Sequence, residues 1–349
     1  MIPINETNFP DPIFRNYVGI HFGDMKDWDM IHTINIADSW IQIPWYKEIK
    51  SLKGIEYFKN LKKLDCSETS ITELDISQNT QLITLNCYRT GIKKLNLSNN
   101  RLLSKLCCFR TNITELDISN NLALQEITCS NTHITSLNIS NHKLLKELSC
   151  DNTKITELDT SNNPLLKRLY CKNTNITKLD VSKNRDLTVL SCANTRITEL
   201  DVSKNRMLDL LHCYNTRITV LNTSNNPLLR FLNCSNTDIT SLDTSYNPEL
   251  ETFYCQNTNI TTLNLNHNPK LKELDISNTQ IKYLDLKDHP FLTLETIKPK
   301  IKFISVSMKF SFYDRFRITC ESLLEILILL LFLLIPLWFI SGLWNIRLP

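Results

Sequence analysis

The sequence predicts a repeat solenoid of parallel β-strands, eleven rungs long, with a helical N-terminal cap before it and one C-terminal transmembrane helix after it. Three observations carry that prediction. Cysteine recurs every 21 residues, at Cys66, Cys87, Cys108, Cys129, Cys150, Cys171, Cys192, Cys213, Cys234 and Cys255. Further columns keep the same step: Leu61 to Leu271, Thr69 to Thr279, Ile71 to Ile281 and Leu74 to Leu284. Near the end, Ile326 to Trp344 runs 19 residues without a charge. A period of this size marks a solenoid, in which each repeat stacks on its neighbours and buries a continuous core. The chain divides accordingly into a cap (1–60), the solenoid (61–291), a C-terminal cap with a juxtamembrane segment (292–322), a transmembrane helix (323–344) and a tail (345–349).

The cap comes first. In "NFPDPIFRNYV" (8–18), Asp11 before Pro12 is an N-cap followed by a favoured first-turn residue. Ile13, Phe14, Tyr17 and Val18 then fall on one helical stripe. Such a helix is expected to cover the first rung, whose strand edge would otherwise stand open to pairing.

Each repeat is nested. Its first half reads L-x-x-L-x-C-x-x-T, as in Leu61, Leu64, Cys66 and Thr69; its second reads I-x-x-L-D-I-S-x-N, as in Ile71, Leu74, Ile76 and Asn79. Both the Leu-x-Cys and the Leu-x-Ile pairs alternate like a strand with one face inward. The polar ninth residue is expected to turn the chain, its side chain bonding backbone groups that the turn leaves unpaired. Rungs at about 4.8 Å spacing make a stack roughly 50 Å long.

The cysteine column continues into Ile276. A position that accepts either residue is small, buried and apolar, and free cysteine there is a compact hydrophobe. In-register strands hold successive β-carbons about 4.8 Å apart, too far for a relaxed disulfide near 3.8 Å. Zinc wants a tetrahedron, whereas a ladder offers a line. No base recurs beside the column to make a thiolate. Cys107 stands one place before the ladder and is the candidate reactive thiol.

The pattern over 61–291 resembles the bacterial leucine-rich repeats of the 21-residue, nested-half class. "NFPDPIFRNYV" and "SLKGIEYFKNLKKLDC" (51–66) resemble the N-terminal cap of internalin-like surface proteins. The resemblance implies partner or host-surface binding, and names no partner. Relatives often carry an Asp/Gly-rich loop between those two stretches. Here "GDMKDWDMIHT" lacks the D-G step and a closing Glu, so Asp24, Asp27 and Asp29 are read as a solvated acidic turn, not a calcium site.

Nothing in the chain reads as catalytic. The seven histidines show no metal-ligand spacing, and His142 and His289 fall in the asparagine column. There is no nucleophile elbow, phosphate-binding glycine loop or H-E-x-x-H. The Asp/Asn column (Asp75, Asn96, Asp117 onward) reads as structure or as a solvated stripe. No cofactor is expected. The net charge of +3 gives no bulk electrostatic case for nucleic acid.

Function is therefore expected on the surface. The residue between Leu and Cys varies freely, as does the residue after Cys, and a constant core under a variable face is how a solenoid presents a binding surface. The candidate binding residues are Tyr88, Phe109, Tyr170, His212, Tyr214, Phe231 and Tyr254, since exposed aromatic rings are favoured interface anchors. Tyr88 and Phe109 are expected to be adjacent, flanked by Arg89 and Arg110, and His212, Tyr214, Phe231 and Tyr254 to form a second group. The competing reading is cross-strand aromatic pairing that steadies the sheet. A protein partner is the leading expectation; a structural or adhesive spacer and carbohydrate binding are the alternatives.

The lipid bilayer is the second expected partner. Ile326 to Trp344 spans about 28 Å as a helix, enough for a bilayer core. Trp338 and Trp344 suit an interface, and Pro336 is tolerated in lipid. The rival is a buried hydrophobic hairpin, but nothing nearby could cover so many leucines. Lys309, Arg315 and Arg317 precede the span and only Arg347 follows it, so the positive-inside rule places the solenoid in the cytoplasm. "MIPINETNFPDP" shows no signal-peptide pattern, which agrees. The family resemblance points to export instead.

Overall fold

In the computed structural model of the chain, residues 2–35, 46–286, 289, 291–292 and 297–298 are described. They fall within the first of two units, Met1–Val306; the second is Ser307–Pro349.

Asp11 starts the first helix, α1 (Pro12–Phe22), by accepting from the amides of Ile13 and Phe14 at 3.0 Å. Its second oxygen accepts from the Lys50 amide at 2.7 Å, so one carboxylate both caps the helix and ties down the segment leading to the first repeat. Phe14, Tyr17 and Val18 are buried, with Ile13 packed beside them. Trp28 stacks on Phe58 at 5.0 Å, and Phe9 meets Phe14 and Trp28 edge-on. Gly54 sits at φ 107°, where a β-carbon would stand 2.3 Å from the Phe9 ring, so only glycine fits.

The exposed edge of the first rung is closed by a strand of the cap, not by α1. Strand β1 (Thr33–Asn35) pairs in parallel with β2 (Lys63–Asp65), and the His32 carbonyl accepts from the Lys62 and Lys63 amides at 2.8 and 2.9 Å. An unpaired edge needs backbone partners, which a helix face cannot supply.

The strands then advance by 21 residues: β3 (Thr84–Asn86), β4 (Lys105–Cys107), β5 (Glu126–Thr128), β6 (Glu147–Ser149), β7 (Arg168–Tyr170), β8 (Val189–Ser191), β9 (Leu210–His212), β10 (Phe231–Asn233), β11 (Thr252–Tyr254) and β12 (Glu273–Asp275). All pair in register in one parallel sheet that ends on β13 (Ile297–Lys298). Leu61, Leu64, Cys66, Ile71, Leu74 and Ile76 and their equivalents are buried and form one continuous core.

Only the first half of each repeat is a strand. The second half, as at Leu74-Asp75-Ile76, has no strand ladder among the described residues, apart from an isolated bridge at Asp285 in the last repeat. Its Asp or Asn accepts from the amide of the serine two residues on, at 2.9 Å for Asp75 and Ser77 and 2.8 Å for Asp180 and Ser182. That amide is then closed locally and cannot serve the next rung. This assigns the Asp/Asn column a structural task. The serine amide also holds the carboxyls of Asp75, Asp117, Asp180, Asp201 and Asp243 below their usual range.

The buried asparagines do bond backbone, and they bond it between rungs. Asn205 Nδ2 donates to the carbonyls of Val181 at 3.0 Å and Asn184 at 2.8 Å, and the same pair of bonds recurs from Asn79 to Asn268. His142 substitutes by placing Nε2 3.1 Å from the Ile118 carbonyl. Each threonine of the column from Thr69 to Thr279 donates to the carbonyl three residues before it, as Thr153 does to Cys150 at 2.7 Å.

The expected transmembrane helix (323–344) lies outside the described residues, as do most of 292–322 and the tail. Among the described residues no helix is long and apolar enough to cross a membrane.

Candidate interaction face

Each strand from β2 to β12 buries its central residue and leaves the flanking ones at least partly open, as with Lys63, Leu64 and Asp65, except that Ser191 of β8 is also buried. The outward face therefore has two columns on the strands themselves. One is the expected column from Asp65 to Asp275. The other runs from Lys63 to Glu273 and was legible from strict alternation, two residues before the first. Across it and the residue just before it run ion pairs between neighbouring rungs: Lys105 with Glu126 at 2.8 Å, Arg230 with Asp209 at 2.6 Å, Lys272 with Glu251 at 2.6 Å.

The column after cysteine is only partly a surface. Ser67, Ser130, Ala193 and Ser235 are buried, because the chain turns there and the neighbouring rungs cover small side chains. Larger residues, such as Tyr88, Phe109, Lys172 and Tyr214, reach out to half-buried positions.

The structure brings four of the seven candidate residues into one group. His212 on β9 lies 4.8 Å, edge-on, from Phe231 on β10, and Phe231 lies 5.6 Å, edge-on, from Tyr254 on β11. Tyr214 is 6.0 Å from His212. The Lys172 ammonium stands 5.4 Å from the Tyr214 ring centre, two rungs away. Ala193 occupies the same column in the rung between and is fully buried, which leaves that path open.

Charge states in the group follow from burial and neighbours. Burial, helped by Lys172, lowers the His212 pKa, so the imidazole is neutral at neutral pH. The Tyr254 hydroxyl donates to the Glu273 carboxylate, which pushes that phenol up to about 12. The result is a neutral aromatic patch with a cation at one end and a carboxylate at the other. Such a patch can pack an apolar or aromatic anchor and orient it by hydrogen bonds.

Tyr88 and Phe109 lie apart from that group. They neighbour each other through the backbone, since the Arg89 amide donates to the Phe109 carbonyl at 2.8 Å. Each ring is attended by the arginine that follows it: Arg89 at 6.0 Å from Tyr88, Arg110 at 5.1 Å from Phe109. The Tyr88 hydroxyl and Arg89 both bond Glu68, at 3.1 and 2.9 Å. Tyr170, on β7, is half-buried between Ser149 and Ser191 and joins neither group.

The residues preceding the threonine column escaped sequence reasoning. From Glu68 to Asn278 they hold a left-handed backbone, with φ between 52° and 59°. In eight repeats the residue is asparagine, which tolerates that region best after glycine. The first three repeats carry Glu68, Arg89 and Arg110 there instead, beside Tyr88 and Phe109. The uninterrupted N-T step from Asn131-Thr132 onward was the available signal.

Cys107 is half-buried, and burial pushes its thiol up, the opposite of what a reactive thiolate requires. Cys107 therefore lacks the thiolate stabilisation that would set it apart as a reactive thiol. The ladder thiols are fully buried and raised as well, to about 12 for Cys129 and Cys213. Several donate weakly to the carbonyl of the next strand, as Cys150 does to Tyr170 at 3.4 Å. Among the described residues no group of three or more His, Cys, Asp or Glu could hold a metal ion.

No family model and no curated protein matches the chain. Solved structures do. The functional domain of InlJ from Listeria monocytogenes, described as including a cysteine ladder, is 31% identical, with a TM-score of 0.64, over 82% of this chain and 73% of that one. The internalin InlF from Listeria monocytogenes is 20% identical, with a TM-score of 0.69, over 88% of this chain and 98% of that one. A leucine-rich repeat protein of Leptospira interrogans is 17% identical, with a TM-score of 0.62, over 72% and 78%.

Proposed function

The chain belongs to the internalin-like family of bacterial leucine-rich repeat proteins, and from that premise we propose that it is a non-enzymatic, membrane-attached solenoid that binds a protein partner through its strand face. The observation that carries the binding reading is the contiguous group His212, Tyr214, Phe231 and Tyr254, half-buried on the outward side of a core whose other columns barely change. Large rings kept at the surface of consecutive rungs are costly to leave in water and are rewarded when a partner covers them. The arginines at 89 and 110 support the same reading. They hold a backbone conformation that asparagine would hold at lower cost, and such strain concentrates where side chains have other work.

Membrane attachment rests on the uncharged run from Ile326 to Trp344. The basic residues before it favour a cytoplasmic solenoid.

The test is capture of a partner by cross-linking with wild-type protein and with the double variant Tyr214→Ala, Tyr254→Ala. The expected result is a partner captured by wild type, lost with the variant, at nearly unchanged melting temperature. Capture retained with a large drop in melting temperature would make these rings supports of the sheet. No partner at all would favour a spacer.

A further inference from the structure

The edge of the solenoid where each repeat turns into its next strand carries a second feature that the strand-face reading does not use. A groove of about 560 Å³ opens there, with Lys143 on one wall, Lys183 and Arg185 on the other, and Asn162 and Pro164 at its floor. These residues come from three successive turns. The middle turn carries short side chains where its neighbours carry long cationic ones, so the groove is a notch one rung wide between walls about 10 Å apart. Lys204 and Arg206 repeat Lys183 and Arg185 one rung further on and extend the cationic wall.

All five cations are exposed. Among the described residues none forms an ion pair, whereas Lys105, Arg168, Arg230, Lys270 and Lys272 are each paired to the preceding or following rung. Asp180 and Asp201 accept the amides of Ser182 and Ser203, and Lys183 and Lys204 act on those carboxyls through space, helping to hold them below their usual range, without a contact ion pair. Asp186 is the one acid on the wall. Unpaired cations held on a fixed backbone around a recess attract an anion, and anionic ester groups accept from lysine and arginine at several oxygens at once.

We propose that this notch seats the sulfate or phosphate esters of a linear anionic polysaccharide, a partner the solenoid meets in the exported orientation that the family resemblance implies and not in the cytoplasmic one. The wall has no aromatic ring on which a nucleic-acid base could stack. The continuation to Lys204 and Arg206 exceeds the reach of a single ion and calls for a polymer lying along the rungs.

The experiment measures binding of heparin fragments, a sulfated probe, to the full-length protein in non-ionic detergent. Neutral dextran, a single-stranded oligonucleotide and glycerophosphoserine, a lipid headgroup without its chains, are the comparison ligands. The variant Lys143→Gln, Lys183→Gln, Arg185→Gln is compared with the equal-charge control Lys93→Gln, Lys94→Gln, Lys154→Gln. The expected result is heparin binding weakened about tenfold in the groove variant and little changed in the control, with a strong salt dependence in wild type. Equal weakening in both variants, no heparin binding by wild type, or tighter binding of the oligonucleotide or the headgroup would overturn the proposal. Tyr214→Ala, Tyr254→Ala is expected to leave heparin binding intact, so this site and the strand face stand or fall separately.

Discussion

Replacing Cys150 by serine is the simplest probe of what a ladder thiol does. The side chain is fully buried, and its thiol gives only a weak bond to the Tyr170 carbonyl. A hydroxyl there is smaller and buries acceptor lone pairs that the column does not serve, at a cost of about 1–3 kcal/mol. Alanine loses volume but buries nothing polar, so it should cost less. Urea unfolding midpoints of the two variants check the order, and equal midpoints would refute the packing account. Asp151 tests a charge at the same scale. Burial pushes its carboxyl up to about 6, partly offset by the Lys172 amide at 2.6 Å. Because the folded pKa lies above the unfolded value of about 3.9, the stability linked to its protonated form is complete below pH ~4 and is lost as pH rises through ~6. Asp151→Asn should therefore gain about 1–2 kcal/mol on wild type between pH 4 and 7.5, after discounting for partial exposure. The comparison of urea midpoints at the two pH values cancels the opposite trend of the serine-capping aspartates, whose lowered pKa values favour the fold above their unfolded range.

At the scale of the repeat, two kinds of column hold the rungs together. Strand amides serve the neighbouring strand, and the buried asparagines serve the turns. Asn205→Ala removes one of two partners from the carbonyls of Val181 and Asn184, which keep the amides of Asn184 and Leu187, and should cost about 1–3 kcal/mol. Asn205→His should cost less, because His142 already performs the task with one ring nitrogen. Thermal melts of both variants check this; equal losses would mean that volume, not hydrogen bonding, sets the column. The asparagine and threonine columns were readable as turn chemistry from residue type and period alone. Their partners were not, since a bond 21 or 24 residues away depends on which rung lies against which.

At the scale of the whole molecule, membrane attachment is the decisive expectation. Protein truncated after Tyr313 should partition to the soluble fraction, while the full chain should resist carbonate and need detergent. A full chain that stays soluble would refute the anchor. Protease treatment of intact cells decides the side, because a cytoplasmic solenoid should survive it and an exported one should be shaved.

Period, core columns, cap start and the absence of any catalytic motif were determined by the sequence alone, because each depends on residues repeated or adjacent along the chain. Asp11, Pro12 and the 21-residue step needed no coordinates. Tertiary structure decided the rest. It showed that the two halves of a repeat differ, since the serine amide closes on its own Asp or Asn and leaves no ladder. It put β1 of the cap on the open edge of β2. It set Tyr170 apart from both ring groups and brought Lys172 onto Tyr214, because side-chain contacts across a sheet depend on the size of what stands between, as Ala193 between Lys172 and Tyr214 makes plain. A sequence column records that a position faces outward; only the stacked rungs determine which neighbours cover it.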